Sequence, residues 1–285
     1  MKSIRKLLQN KSKPLVIPGV YDAIGAKIVE KVGFEAMFQT GYGTSATLLG
    51  MPDYGFIGST ETADNARRIC HAVSVPVIVD ADTGYGNALT VDKLVHELET
   101  AGASGIFLED QKWPKRCGHM KGKEVIPKDE YAEKLQAALD ARSNKDFIIV
   151  ARTDARATEG LEKAIERGLF YKKIGADAIF IEAPKTIQEM QKIGNSINAP
   201  LVANMIEGGA TPISSKSKLH SMGFKIILYP LSVLFSNTFA TFQTLKELKR
   251  FGITKKSKKK MVNFDQFNEI VELSKYTKLE KRYKK

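Results

Sequence analysis

Cysteine is nearly absent from this chain: there are two in 285 residues, Cys70 and Cys117. Two thiols cannot build a disulfide framework, so the small stapled secreted folds are excluded and a reducing, cytoplasmic compartment is the expectation. No apolar run approaches the roughly 18 residues of a membrane span. The first thirteen residues are basic but lack the ~7–15-residue apolar stretch of a secretory signal. No long linker or separate domain is visible. With 43% hydrophobic residues there is material for a sizeable core, so disorder is excluded as the main state.

One sign of charge dominates: 44 Lys and Arg against 32 Asp and Glu, a formal net charge of +12. The excess sits at the ends. Residues 1–13 carry +5 and residues 246–285 carry +9, which leaves −2 for residues 14–245. The terminal lysines lack interleaved aromatics, which argues against a nucleic-acid-binding protein, a reading that would need a basic surface along a groove.

The slightly acidic middle alternates between two patterns. Short apolar runs bounded by turn residues recur at 15–17, 36–39, 77–80, 105–108, 147–151, 178–181, 201–203 and 225–229. Continuous apolar runs of this length suit strands buried on both faces. Stretches of helical period lie between them at 22–31, 60–72, 91–101, 128–141, 161–173 and 186–196. Eight such units predict an α/β chain folded as a (β/α)8 TIM barrel, with a doubly wound open sheet as the alternative. A weak repeat agrees with closure: Gly33, Gly102, Gly175 and Gly223 each end a helix just before the second, fourth, sixth and eighth strands, and glycine suits the left-handed cap position. The expected division is a barrel domain over residues 1–245 with a basic helical extension over 246–285, including a helix at 265–274.

Active sites of such barrels lie at the C-terminal ends of the strands. There the chain has Gly41-Tyr-Gly43, Asp80-Ala-Asp82, Glu109-Asp110, Arg152-Thr-Asp154, Glu182, Asn204 and Tyr229-Pro230. Asp80 and Asp82, two apart, project to one side in extended chain. With Glu109 they make an oxygen-only cluster suited to Mg²⁺ or Mn²⁺ rather than zinc, the ion being completed by water and substrate oxygens.

Residues 110–127 form a long connection after the fourth strand, the length of a lid, with Gly118 and Gly122 to permit motion. Within it Lys115-Arg-Cys-Gly-His119 surrounds Cys117 with cations, which predicts a lowered thiol pKa and a group able to exchange protons near neutrality. Cys70 reads as a small buried hydrophobe. Trp113 reads as lid packing.

Asp80-Ala-Asp-Thr-Gly-Tyr-Gly86, Glu109-Asp-Gln-Lys-Trp-Pro114, Lys115-Arg-Cys-Gly-His119, Ala151-Arg-Thr-Asp154, Phe180-Ile-Glu-Ala183, Ala203-Asn-Met205 and Tyr229-Pro230, in that order, resemble the isocitrate lyase/phosphoenolpyruvate mutase superfamily. The resemblance implies a Mg²⁺-dependent barrel, usually a homotetramer whose C-terminal helix packs on a neighbouring subunit. The Cys-Gly-His pattern further resembles the carbon–carbon lyases of the family, the methylisocitrate and 2,3-dimethylmalate lyases. The activity so implied is cleavage of a 2-hydroxy dicarboxylate to a 2-oxo acid and a carboxylic acid.

Residue by residue, the resemblance gives Asp82 as direct metal ligand, with Asp80 and Glu109 partly through water. Cys117 becomes the general acid, Tyr42 a candidate base, and His119 a proton relay or loop hydrogen-bonder. Thr40, Gly41, Tyr42, Asp53, Gly118, Arg152, Glu182 and Asn204 surround the substrate, and Asp53 stands near the metal. Methylisocitrate lyases hold an extra carboxylate with arginines where this chain has Phe235 and, further on, Phe264. Losing both cations implies a smaller or more apolar substrate such as an alkylated malate. Oxaloacetate decarboxylation and carbon–phosphorus chemistry are the competing readings.

Overall fold

A computed structural model describes every residue except Met1, Lys2, Lys11, Lys121 and Lys285. Lys2 and Lys11 of the basic N-terminus therefore lie outside the described residues. Eight strands run β1 Leu15–Val20, β2 Met37–Gln39, β3 Val77–Asp80, β4 Gly105–Glu109, β5 Ile148–Thr153, β6 Ala178–Ile181, β7 Leu201–Asn204 and β8 Phe224–Tyr229. Each pairs in parallel with the next, and β1 closes on β8 with Leu15 opposite Ile226. The barrel is thus the expected one, and the open-sheet alternative falls.

The apolar runs became strands because both of their faces are covered. One set of side chains, among them Val79 and Ile149, meets the helix ring, which contributes Leu94, Leu98 and Tyr171. The alternate set fills the barrel interior with Ile17, Phe38, Ile78, Phe107, Val150, Phe180, Ile226 and Leu228. A short helix, Ile4–Gln9, capped by Ser3, closes the N-terminal end; Ile4 is fully buried and joins the interior cluster. Gly33, Gly102, Gly175 and Gly223 all take positive φ, from 93° to 129°, where a side chain would be strained.

The C-terminus differs from expectation. A 20-residue helix, Ser232–Phe251, has Leu234 as its one buried residue, so the boundary expected at 245 falls inside it. The single helix expected at 265–274 is two, Phe264–Ile270 and Leu273–Tyr283, separated at Glu272, whose left-handed backbone (φ 56°) breaks the hydrogen-bond ladder. Glu272 and Glu269 are ion-paired to Lys27 and Lys31 of the barrel. Among the described residues no helix is long and apolar enough to cross a membrane.

Candidate active site

The floor of the site is a layer of the barrel itself. Phe38, Phe107, Phe180 and Leu228 stand at equivalent positions on β2, β4, β6 and β8, and all four line one small cavity. Alternate strands contribute such layers in this fold. The rings touch in sequence, Phe38 to Phe107 at 4.8 Å and Phe107 to Phe180 at 5.8 Å. The repeat that places the capping glycines also places this layer, five residues after each glycine, a signal that sequence reasoning missed.

Above the floor, carboxylates converge. Gly41 N–H donates to Asp80 Oδ2 at 3.2 Å. A Cβ on Gly41 would lie 2.9 Å from Asp80 Oδ2 and 3.2 Å from Asp82 Oδ1, so the two acids aim at one place. They meet there for a reason other than strand alternation. The strand ends at Asp80, and Asp82 has φ 46°, a left-handed turn that swings its side chain back. Thr40 caps the helix Gly41–Leu49, accepting from Gly43 N–H, which sets that helix's N-terminus over the acids.

Lys115 is the principal correction. Sequence reasoning set it beside Cys117 to lower the thiol pKa. In the fold its ammonium is buried between Asp53 Oδ1 at 2.5 Å and Asp82 Oδ1 at 2.6 Å. Arg116 instead lies over the Tyr54 ring, 5.6 Å from its centroid, and does not line the cavity. The thiol therefore lacks the expected cations. Burial pushes Cys117 up to about 11, with Asp53 and Glu182 adding to the rise against a backbone hydrogen bond and Arg152. It is a protonated thiol at neutral pH, the opposite of the expected direction. Burial, with Cys117 and Asp53 nearby, likewise raises the Tyr42 phenol, which makes it a donor rather than a ready base.

Arg152 anchors the other side. Its Nε and Nη2 reach Asp154 at 2.9 and 3.2 Å, Nη1 reaches Glu109 Oε2 at 3.2 Å, and Nη2 reaches Glu182 Oε2 at 3.3 Å. Asn204 Nδ2 also donates to Glu182 at 3.2 Å. Burial alone would raise Glu182, but Arg152, His119 and Lys123 outweigh it and hold it well below the usual carboxylate range. His119 Nδ1 accepts from Ala210 N–H at 2.9 Å, and its Nε2 stands 3.2 Å from Glu182 Oε1. His119 thus sits between the loop after β7 and the end of β6.

Six carboxylates (Asp53, Asp80, Asp82, Glu109, Asp154 and Glu182) gather here against three permanent cations, Lys115, Lys123 and Arg152. Burial raises Asp80, Asp82 (to about 7) and Glu109, the mark of acids short of counter-charge. Glu109 Oε1 is buried with no hydrogen-bond partner. These features fit a hard divalent cation. Among the described residues no three His, Cys, Asp or Glu side chains are grouped so as to hold an ion on their own.

Residues 110–127 close over this cavity as a lid. Gln111 and Val125 pair as an antiparallel bridge at its neck, and Arg167 holds both Asp110 and the Ile126 carbonyl. Trp113 meets the Tyr85 ring edge-on at 5.9 Å, the expected packing role. The cavity beneath is about 40 Å³, room for a few waters. Its remaining wall is apolar: Ile206, Pro230 and Leu231. Phe235 and Phe264, expected near the substrate, are 41% and 80% exposed and do not line the cavity within this chain. Lys123, Asp154 and the role of Lys115 were missed. Asp154 lay within a quoted motif, and both lysines lay in the loop singled out, but no spacing names their partners.

The chain matches the family Phosphoenolpyruvate phosphomutase over residues 4–249. It is 48% identical to the chloroplastic carboxyvinyl-carboxyphosphonate phosphorylmutase of Arabidopsis thaliana, covering 94% of this chain and 80% of that protein. It is 45% identical to 2,3-dimethylmalate lyase of Eubacterium barkeri, covering 98% and 96%. Among solved structures, oxaloacetate acetylhydrolase bound to 3,3-difluorooxalacetate superposes with a TM-score of 0.93 at 31% identity, covering 98% of this chain and 95% of that one.

Proposed function

The chain belongs to the phosphoenolpyruvate mutase/isocitrate lyase superfamily, and from that premise we propose that it is a carbon–carbon lyase acting on a 2-hydroxy dicarboxylate of the alkylmalate type. Cleavage of C2–C3 yields pyruvate or a related 2-oxo acid and a carboxylic acid. The observation that carries the reading is Cys117, a protonated thiol on a closed lid, lining a cavity opposite a cluster of carboxylates.

Asp80, Asp82 and Glu109 would hold Mg²⁺ or Mn²⁺, whose chemistry is to stabilise negative charge developing on the substrate's 2-oxygen. The chain's own groups do the rest. The 2-hydroxyl proton leaves toward the acid cluster, with the neutral Tyr42 phenol as relay. The C2–C3 electron pair becomes an enediolate on the departing C3 carboxylate. The Cys117 Sγ–H bond breaks to protonate C3, and the thiolate so formed is the base of the reverse reaction. Arg152 and the N-terminus of Gly41–Leu49 orient the 2-oxo acid portion. Glu182 and Asn204 bound it on the far side. The closed lid excludes water from the carbanion.

The alkylmalate reading has its own support. The wall away from Lys115 and Arg152 is apolar, formed by Ile206, Pro230 and Leu231, and a third substrate carboxylate would meet no cation there. The exposed Phe239, Phe242, Leu245 and Phe251 of the outer helix support assembly into the homotetramer that the resemblance implies. The free thiols, Cys70 and Cys117, suit a cytoplasmic, reducing setting.

The test is a substrate panel with Mg²⁺: 2,3-dimethylmalate, 2-methylisocitrate, oxaloacetate and phosphonopyruvate, scored by 2-oxo acid release and, for the last, phosphate. Alkylmalate turnover, lost in Cys117→Ser with fold retained, is the expected result. Turnover of phosphonopyruvate or oxaloacetate alone replaces this reading with the corresponding one.

A further inference from the structure

The lid reaches the barrel through several polar ties. Lys115, Cys117 and His119 line the cavity. Lys123 does not. Its side chain, 2% exposed, runs beneath the lid, and its Nζ donates to the Gly118 carbonyl and to Asp154 Oδ1, the latter at 2.6 Å. Asp154 is also outside the cavity lining, yet it takes two hydrogen bonds from Arg152, which is inside it. Its backbone N–H donates to Asp110 Oδ1 at 2.9 Å, at the lid's first residue.

These bonds bracket Cys117. On one side its own N–H donates to the Asp53 carbonyl at 3.2 Å. On the other the Gly118 carbonyl is held by Lys123. The Cys117–Gly118 backbone is thus pinned at both ends. Gly118 lies so close to the barrel that a Cβ there would sit 2.4 Å from Arg152 Nη2, so any drift of this peptide is felt by the guanidinium.

We propose that Lys123 is the positioning residue of the Cys117 lid, joining the Gly118 carbonyl to Asp154 and through it to Arg152. Lid closure and guanidinium placement are then one event. When the lid lifts, Lys123 leaves Asp154, and the acid beneath Arg152 loses its second cation. Closure restores both, so the thiol is aligned only when Arg152 is. A compact ammonium suits the task because it serves a carbonyl and a carboxylate at once.

The kinetic arm of the test rests on the lyase reading above; the chemical arm does not. In a Cys70→Ser background, Lys123→Met is compared with its parent by Cys117 alkylation with iodoacetamide at pH 8 (read by intact mass), by steady-state kinetics on the alkylmalate turned over, and by Tm. Alkylation about tenfold faster is expected, with kcat down about 30-fold, KM within about threefold and Tm within a few degrees. Lys123→Arg, which keeps the cation, recovers part of both losses. Alkylation within twofold of the parent overturns the assignment, whatever happens to kcat, because a fall in kcat alone would trace to the charge balance of Arg152. If no substrate in the panel is turned over, alkylation alone decides the role of Lys123, and the failure belongs to the lyase reading. Should Lys123→Met not fold, Lys123→Gln is read by the same criteria.

Discussion

Gly118→Ala tests whether the reactive state is the closed lid described here. Gly118 does not occupy the left-handed region, so alanine brings no backbone strain and the substitution is purely steric. The added Cβ would meet Arg152 Nη2 at 2.4 Å and Glu182 Cγ and Oε2 at 2.6 Å each, where real Cβ atoms stay beyond 3.0 Å. Either the lid or the Arg152–Glu182 pair must yield by more than half an ångström. Glu182 is held by Asn204, and Arg152 by Asp154 and Glu109, so the lid is the softer partner. Overpacking of this size costs about 1–3 kcal/mol, a roughly 5- to 150-fold loss of the closed population. We therefore expect kcat/KM to fall by about 10- to 100-fold, while Tm changes little because an open lid escapes the clash. Steady-state kinetics with differential scanning fluorimetry reads both. Activity within threefold of the parent, at unchanged Tm, would show that Cys117 does not work from this position.

Thiol chemistry gives a pH prediction. With Cys117 at about 11 and Cys70 at about 12, the thiolate fraction at pH 8 is about a thousandth or less, so disulfide-exchange labelling of the native protein should be slow and rise about tenfold per pH unit. Rapid labelling at pH 7 would contradict it. Lys115→Met strands Asp53 and Asp82 without their cation. A loss of roughly 3–5 kcal/mol is expected in EDTA, recovered in part by Mg²⁺, and thermal unfolding under both conditions checks it. Asp82, raised to about 7, binds a proton in the metal-free fold that the unfolded chain has already released between about pH 4 and 7. Its contribution to stability therefore falls as pH rises through that window, and Mg²⁺ affinity should climb over the same range, which calorimetry can follow. Phe107→Ala removes the central ring of the floor and should cost about 3–5 kcal/mol in a denaturant titration.

Strands were legible because parallel strands buried on both faces must be continuous apolar runs, and all eight were found within a few residues. Helices with one buried face were legible for the analogous reason. Ser232–Phe251 was not, because beyond Leu234, which packs with Tyr21, Ile206 and Leu231, its large apolar residues are exposed and its pattern carries no core stripe. Gly41–Leu49 hid behind Gly41 and Gly43, residues that discourage a helix until Thr40 caps it. At the site, the kinds of residue were legible and their pairings were not. A sequence shows that Lys115, Arg116 and His119 flank Cys117; it does not show which acids lie across the fold. Once Lys115 turns to Asp53 and Asp82, the same burial that draws its ammonium in leaves the thiol desolvated, and the sign of the Cys117 shift reverses. That reversal suits the chemistry better than the expectation it replaces. In the proposed lyase reaction a donor that protonates a carbanion must arrive protonated, and burial would deliver the Cys117 thiol in that form.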